Sequence, residues 1–274
     1  MHTSAKPLDL LAARVCGAWR EVPQVGRAIP AQLADLLDER TEGVRDLVQL
    51  PLLRREFTSC LDAFESLYDR CTAWTAGPFA PWLEAKLGAI AEFDAQLRAD
   101  TGLRYELVIS GLGREPARSV WSATRANHST FVAFDYGALL WHDPSELRGP
   151  LAHEYAHRTT SNAWRLLLVA AAEALAYARR EVSLEKAEAL LDTCSALRLE
   201  EEFATDAEAV RLVGAEVVLE GLTRMERSNT RLSARLAEKG ERLKLRPPSE
   251  AEVRWPRHPS WTQRVERVQR ERRA

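Results

Sequence analysis

The sequence predicts an α+β fold that is mostly α, with a small, mainly antiparallel sheet set between helical stretches. Three observations carry this. Apolar residues recur at helical spacing over residues 8–100 and again over most of 163–273. Between these stretches, three short runs rich in β-branched and aromatic residues follow one another within residues 105–134. Breakers mark the joins: Pro51, Gly77-Pro78, Thr101-Gly102 and Pro247-Pro248.

Leu8, Leu10, Leu11, Val15 and Trp19 form the first helical stripe, and Leu33, Leu36, Leu37, Val44, Leu47 and Val48 continue it. Trp82 to Leu97 is a further amphipathic helix, ended by Thr101-Gly102. Residues 1–100 carry no recognisable chemistry. They are expected to form a helical region that packs on, or covers, a second part spanning 101–274. Tyr105 to Ile109, Ser119 to Thr124 and Thr130 to Phe134 are the expected strands.

Asp143-Pro144-Ser145-Glu146 reads as a helix start. Asp143 takes the cap position, Pro144 the first turn, and Glu146 closes a capping box. Gly149-Pro150 interrupts that helix, since proline has no N–H to donate; either a kink or a fresh start at Pro150 is expected. Ala163 to Arg180 is a buried helix. Ser183 to Leu191 and Ser195 to Val213 read as two separate helices, Glu216 to Glu238 as another, and Ser260 to Arg273 as a basic final one.

A net charge of −2 gives no general electrostatic reason to bind nucleic acid or an anionic membrane. The N-terminus, Met1 to Asp9, has no basic patch followed by an apolar run, so no secretory signal is read there. The most apolar segment, Leu166 to Ala178, is too short to span a bilayer and contains Glu173. A soluble, cytoplasmic protein without integral membrane insertion is expected. Cys16, Cys60, Cys71 and Cys194 lack close pairing and read as small core residues in a reducing compartment.

The chemistry concentrates in His153-Glu154-Tyr155-Ala156-His157. On a helix, His153 and His157 lie one turn apart on one face and can share a zinc ion. Glu154 then stands beside the metal, able to take a proton from zinc-bound water. Such a site needs a third protein ligand. Arg198 to Asp206 offers Glu200, Glu201 and Glu202, which spacing alone does not separate. Only Glu202 has an acid four residues on, Asp206, which can accept the outer ring N–H of a ligand histidine.

With these residues in view, the chain resembles the gluzincin metallopeptidases that include the CAAX prenyl endopeptidase and the heat-shock protease HtpX (peptidase family M forty-eight). Asp143 to Leu147 is similar to the family's lead-in to its metal helix, and His153 to His157 matches the metal motif. Glu202-Phe203-Ala204-Thr205-Asp206 is similar to its Glu-x-x-Ala-Asp signature, with Thr205 where alanine is usual. His258-Pro259-Ser260 with Arg264 is similar to a late His-Pro motif. The likeness spans about residues 103 to 270.

The resemblance implies a zincin-like domain and one Zn2+ per chain, held by His153, His157 and Glu202. It also implies Glu154 as general base and Asp206 behind a ligand. His258 and Arg264 would stand near the active site, His258 hydrogen-bonding the developing oxyanion. The strand holding Thr130, Phe131, Val132 and Ala133 would be the edge strand that pairs with an extended protein or peptide substrate, preceded by Asn127. The named family members span membranes and this chain is not expected to, so their membrane substrates do not carry over. The expected activity is that of a zinc endopeptidase. The alternatives are a non-catalytic zinc-stabilised scaffold, which would need no base such as Glu154, and a latent protease whose cleft is covered by residues 1–100.

Overall fold

Gly102 ends the first helix that packs against the metal motif, and it does so by turning left-handed (φ +70°), its N–H closing on Arg98 O. The computed structural model describes residues 50–74, 80–111, 120–124, 129–160, 163–178, 183–238, 254–256 and 258–273. The helical stripe over residues 8–48, Cys16 and Asn127 lie outside them.

Among the described residues the order is α1 (Leu50–Tyr68), β1 (Thr72–Ala73), α2 (Pro81–Thr101), β2 (Glu106–Ser110), β3 (Val120–Thr124), β4 (Thr130–Asp135) and α3 (Tyr136–Trp141). Then come α4 (Arg148–Thr160), α5 (Ala163–Ala178), α6 (Leu184–Val213), α7 (Ala215–Glu238) and α8 (Trp261–Arg273). The chain is mostly helical with one small mixed sheet. No described helix is long and apolar enough to cross a membrane.

Two compact units emerge. One comprises residues 1–69, 124–129 and 161–200; the other comprises 70–123, 130–160 and 201–274. In the first, α1 packs on α5, and the buried Glu173 carboxylate takes two hydrogen bonds from Arg198, at 2.5 and 3.0 Å. The second holds the sheet and the metal motif. The cut at residue 100 drawn from sequence is a different division. Helix α2 lies in the second unit, and its stripe of Leu83, Leu87, Ile90, Phe93 and Leu97 is buried in one core with Leu151, Ala152 and Tyr155 of α4.

The sheet departs from expectation. Its order is β1-β2-β4-β3, and β2 pairs with β4 in parallel over five residues, from Glu106 with Phe131 to Ser110 with Asp135. Only two residues of β1 pair antiparallel with β2. The sheet is therefore mixed, with a parallel pair, β2 and β4, at its centre. Succession in sequence hid this, because β4 inserts between β2 and the earlier strand β3.

The same order corrects the edge-strand assignment. Thr130, Phe131, Val132 and Ala133 belong to an interior strand, flanked by β2 and β3 and buried along its whole length. A strand covered on both faces reads as an unbroken apolar run, as Phe131-Val132-Ala133-Phe134 does. Beside it, β3 is the edge among the described residues.

The expected break between Leu191 and Ser195 does not occur either. α6 runs unbroken for 30 residues. Thr193, whose side chain favours turns, instead donates back to Ala189 O one turn earlier, at 3.0 Å.

Residues 144–147 form stacked turns and not an α-helix, with Glu146 N–H on Asp143 O and Leu147 N–H on Pro144 O. Asp143 N–H does reach the Glu146 carboxylate, at 3.3 Å, which is half of the anticipated box. The helix proper starts at Arg148, so Pro150 falls in its first turn, where a missing N–H costs nothing. Gly149 is there for contact: a Cβ at this position would stand 2.8 Å from Val217 O, and one at Gly221 of α7 would stand 2.7 Å from Pro150 Cδ. The Gly149-Pro150 pair is thus the place where α4 and α7 touch backbone to backbone.

Candidate metal centre

Helix α4 presents His153, Glu154 and His157, all buried, and this group is able to hold a metal ion. The two imidazoles meet edge to face with centroids 4.6 Å apart, as one turn of helix dictates. Glu154 projects toward the sheet, where the edge strand β3 supplies Ser122; its Oγ donates to Glu154 Oε2 at 2.7 Å.

Helix α6 closes the site from the other side with Glu202, Thr205 and Asp206, spaced so that all three share a face. Glu202 Oε2 is 3.4 Å from His153 Nε2, and Oε1 is 3.7 Å from His157 Nε2. Two donors each about 2.0–2.1 Å from one tetrahedral ion lie about 3.3 Å apart, and the two separations from Glu202 to the ring nitrogens are close to that. Glu154 belongs to the same small group, one of its carboxylate oxygens and a ring nitrogen of each histidine lying within 4.8 Å of one another. One of its oxygens is already engaged by Ser122, whereas Glu202 faces both ring nitrogens. The donor set of two imidazoles and a carboxylate fits zinc chemistry.

Behind these groups, Asp206 Oδ1 lies 2.9 Å from His153 Nδ1. Arg264, from α8, grips Asp206 with Nε on Oδ2 at 2.8 Å and Nη2 on Oδ1 at 2.6 Å. Ser260 fixes the start of α8: its Oγ accepts from Gln263 N–H while Gln263 Oε1 accepts from Ser260 N–H. His258 stands at the surface, its side chain 67% exposed, with Nδ1 3.3 Å from Glu202 Oε1. The residues chosen from sequence as ligands, base and supports are therefore gathered in one place. The Thr130–Ala133 strand is not at the edge.

Burial and the neighbouring side chains compete in setting the electrostatics. Burial pushes the Glu154 carboxyl above the ordinary carboxylate range, against the charge of His153 and the Ser122 hydrogen bond. Burial would raise Glu202 as well, but its bonds to His153 and His258 win and hold it low. Asp206 is likewise lowered, since Arg264 and His153 overcome its burial. The two ligand-type histidines diverge. Burial and Arg264 disfavour charge on His153, yet Asp206 and Glu202 outweigh them and raise it to about 9. Burial and the neighbouring His153 drive His157 down to about 3.

Two residues were not singled out from sequence. Ser122 left no signal, because only the strand order brings it to Glu154. Thr205 was visible: it shares the face of Glu202 and Asp206, is fully buried, and its Oγ1 lies 3.2 Å from His157 Nδ1. The chain matches no protein-family model and no curated protein.

Proposed function

We propose that this chain is a zinc endopeptidase of gluzincin type, with His153, His157 and Glu202 as ligands and Glu154 as general base. The convergence of two Nε2 atoms and the Glu202 carboxylate, at 3.4 and 3.7 Å, carries the proposal. A zinc ion held there supplies Lewis acidity, acidifying a water and polarising a carbonyl.

The residues around it take the remaining roles. Glu154 accepts a proton from the attacking water and delivers it to the leaving amine. Burial raises its carboxyl above the ordinary carboxylate range, which makes it a stronger base than an exposed glutamate. Asp206 orients His153, and Arg264 keeps Asp206 ionised. His258, at the surface beside Glu202, offers a donor to the developing oxyanion. Strand β3 is the natural place for an extended peptide, because an edge leaves backbone groups free to pair and Ser122 ties this edge to the base. We take the substrate to be a protein or peptide and the site of action to be the cytoplasm.

The test pairs metal analysis with cleavage of a denatured protein by the parent and Glu154→Gln. The expected result is zinc in both, cleavage only by the parent, and full inhibition by a strong chelator. Equal cleavage by Glu154→Gln overturns the mechanism. Zinc without cleavage by the parent points to the scaffold instead.

A further inference from the structure

Helix α6 treats the two histidines of α4 alike in position and differently in chemistry. Asp206 stands behind His153, at 2.9 Å from Nδ1; Thr205, the preceding residue, stands behind His157, at 3.2 Å from Nδ1. One outer partner is a carboxylate locked by Arg264, the other a neutral hydroxyl that is fully buried.

A neutral imidazole has one N–H and one lone pair, and the partner of one nitrogen decides what the other offers. His157 Nε2 faces Glu202 Oε1 at 3.7 Å. For that nitrogen to serve as a ligand, the proton must sit on Nδ1 and have an acceptor there. A threonine hydroxyl can accept while giving its own proton elsewhere on the helix. It also adds no charge to a pocket that already holds Glu154, Glu202 and Asp206.

Resting on the zinc reading above, we propose that Thr205 is a positioning residue, which holds His157 as the Nδ1–H tautomer with the Nε2 lone pair directed at the metal position. The positioning of His157 by a hydroxyl is then a property of this chain at the residue following Ala204, and the site depends on it for metal affinity.

The test compares Thr205→Ser with Thr205→Ala, which differ only in the hydroxyl; Thr205→Val, close in shape to threonine, replaces alanine if that variant does not fold. Zinc is titrated into each metal-free full-length protein, and the 15N resonances of the imidazoles are recorded before zinc is added. Loss of an outer partner typically weakens metal binding about 10- to 100-fold; this loss is expected for alanine, with serine close to the parent. In the metal-free proteins, His157 is expected as the Nδ1–H tautomer in the parent and serine variant, and as a mixture in the alanine variant. With a parent that binds zinc, equal zinc affinity of the serine and alanine variants overturns the proposal; a His157 tautomer indifferent to the hydroxyl overturns it in any case. A parent that binds no zinc, but whose His157 tautomer follows the hydroxyl, sinks the zinc reading and leaves the role of Thr205 standing.

Discussion

Ser122 Oγ donates a 2.7 Å hydrogen bond to Glu154 Oε2, so the edge strand β3 holds the proposed base of the neighbouring helix directly. Burial already pushes the Glu154 carboxyl up, and this bond opposes that push. Ser122→Ala is predicted to raise it further, which leaves less carboxylate at neutral pH and moves the acid limb of kcat/KM to higher pH. A hydrogen bond to a charged group contributes ~1.5–3 kcal/mol, so the acid limb should move up by about one to two pH units. Zinc content should be unchanged and Ser122→Thr should restore the rate. A pH profile that superimposes on the parent's would remove Ser122 from the mechanism.

Arg264→Ala takes from the buried Asp206 carboxylate its guanidinium partner and leaves only His153 beside it. Removing one partner of a buried pair costs about 3–5 kcal/mol, and urea unfolding of the metal-free protein at pH 7 should reveal a loss of that order. The sign with pH is fixed. Asp206 titrates below its unfolded value, so the pair's contribution is complete above about pH 4 and is lost as the pH falls through the depressed value. The gap between parent and variant should therefore narrow in acid. A gap that widens in acid would contradict the pairing.

Gly149→Ala forces a methyl to within 2.8 Å of Val217 O, a backbone atom that cannot swing aside. Overpacking of this kind costs about 1–3 kcal/mol, and the thermal midpoint should drop accordingly. Gly88→Ala is the control, since a Cβ there meets nothing within 4 Å and the position is helical; it should be neutral or mildly stabilising. Equal melting of the two variants would dismiss the close approach of α4 and α7.

Zinc added to the metal-free protein should raise its melting temperature by binding the folded state. At a free concentration one hundred times Kd the gain is about 2.7 kcal/mol. His157→Ala should lose most of that gain, and magnesium should not reproduce it, because imidazole donors suit zinc and not magnesium. A magnesium response as large as the zinc response would point away from the imidazoles.

Much of the site was legible because helical spacing is a local property. His153 with His157, and Glu202 with Asp206, are each one turn apart, so their sharing of a face follows from sequence alone. The helix end at Gly102 was readable for the same reason. What sequence hid was non-local. The insertion of β4 between β2 and β3 decides that Ser122, not the Thr130–Ala133 run, lies at the edge. The unbroken apolar run of β4 was a usable sign of an interior strand and was read as an edge. Gly149 looked like a fault in the metal helix until α7 supplied its reason. The unbroken α6 shows a turn-favouring segment, Asp192-Thr193, overridden within a long helix.

The placing of Glu202, Thr205 and Asp206 within a single turn of α6 has a consequence for how this site can change. Each residue added to or removed from that turn rotates everything beyond it by about 100°. One insertion between Glu202 and Thr205 would keep the glutamate and carry both outer partners away from the histidines at once. Substitutions can tune the site one contact at a time, whereas length changes in this turn undo it as a unit. Inserting one alanine there should therefore be far more damaging to metal binding than replacing either Thr205 or Asp206 singly.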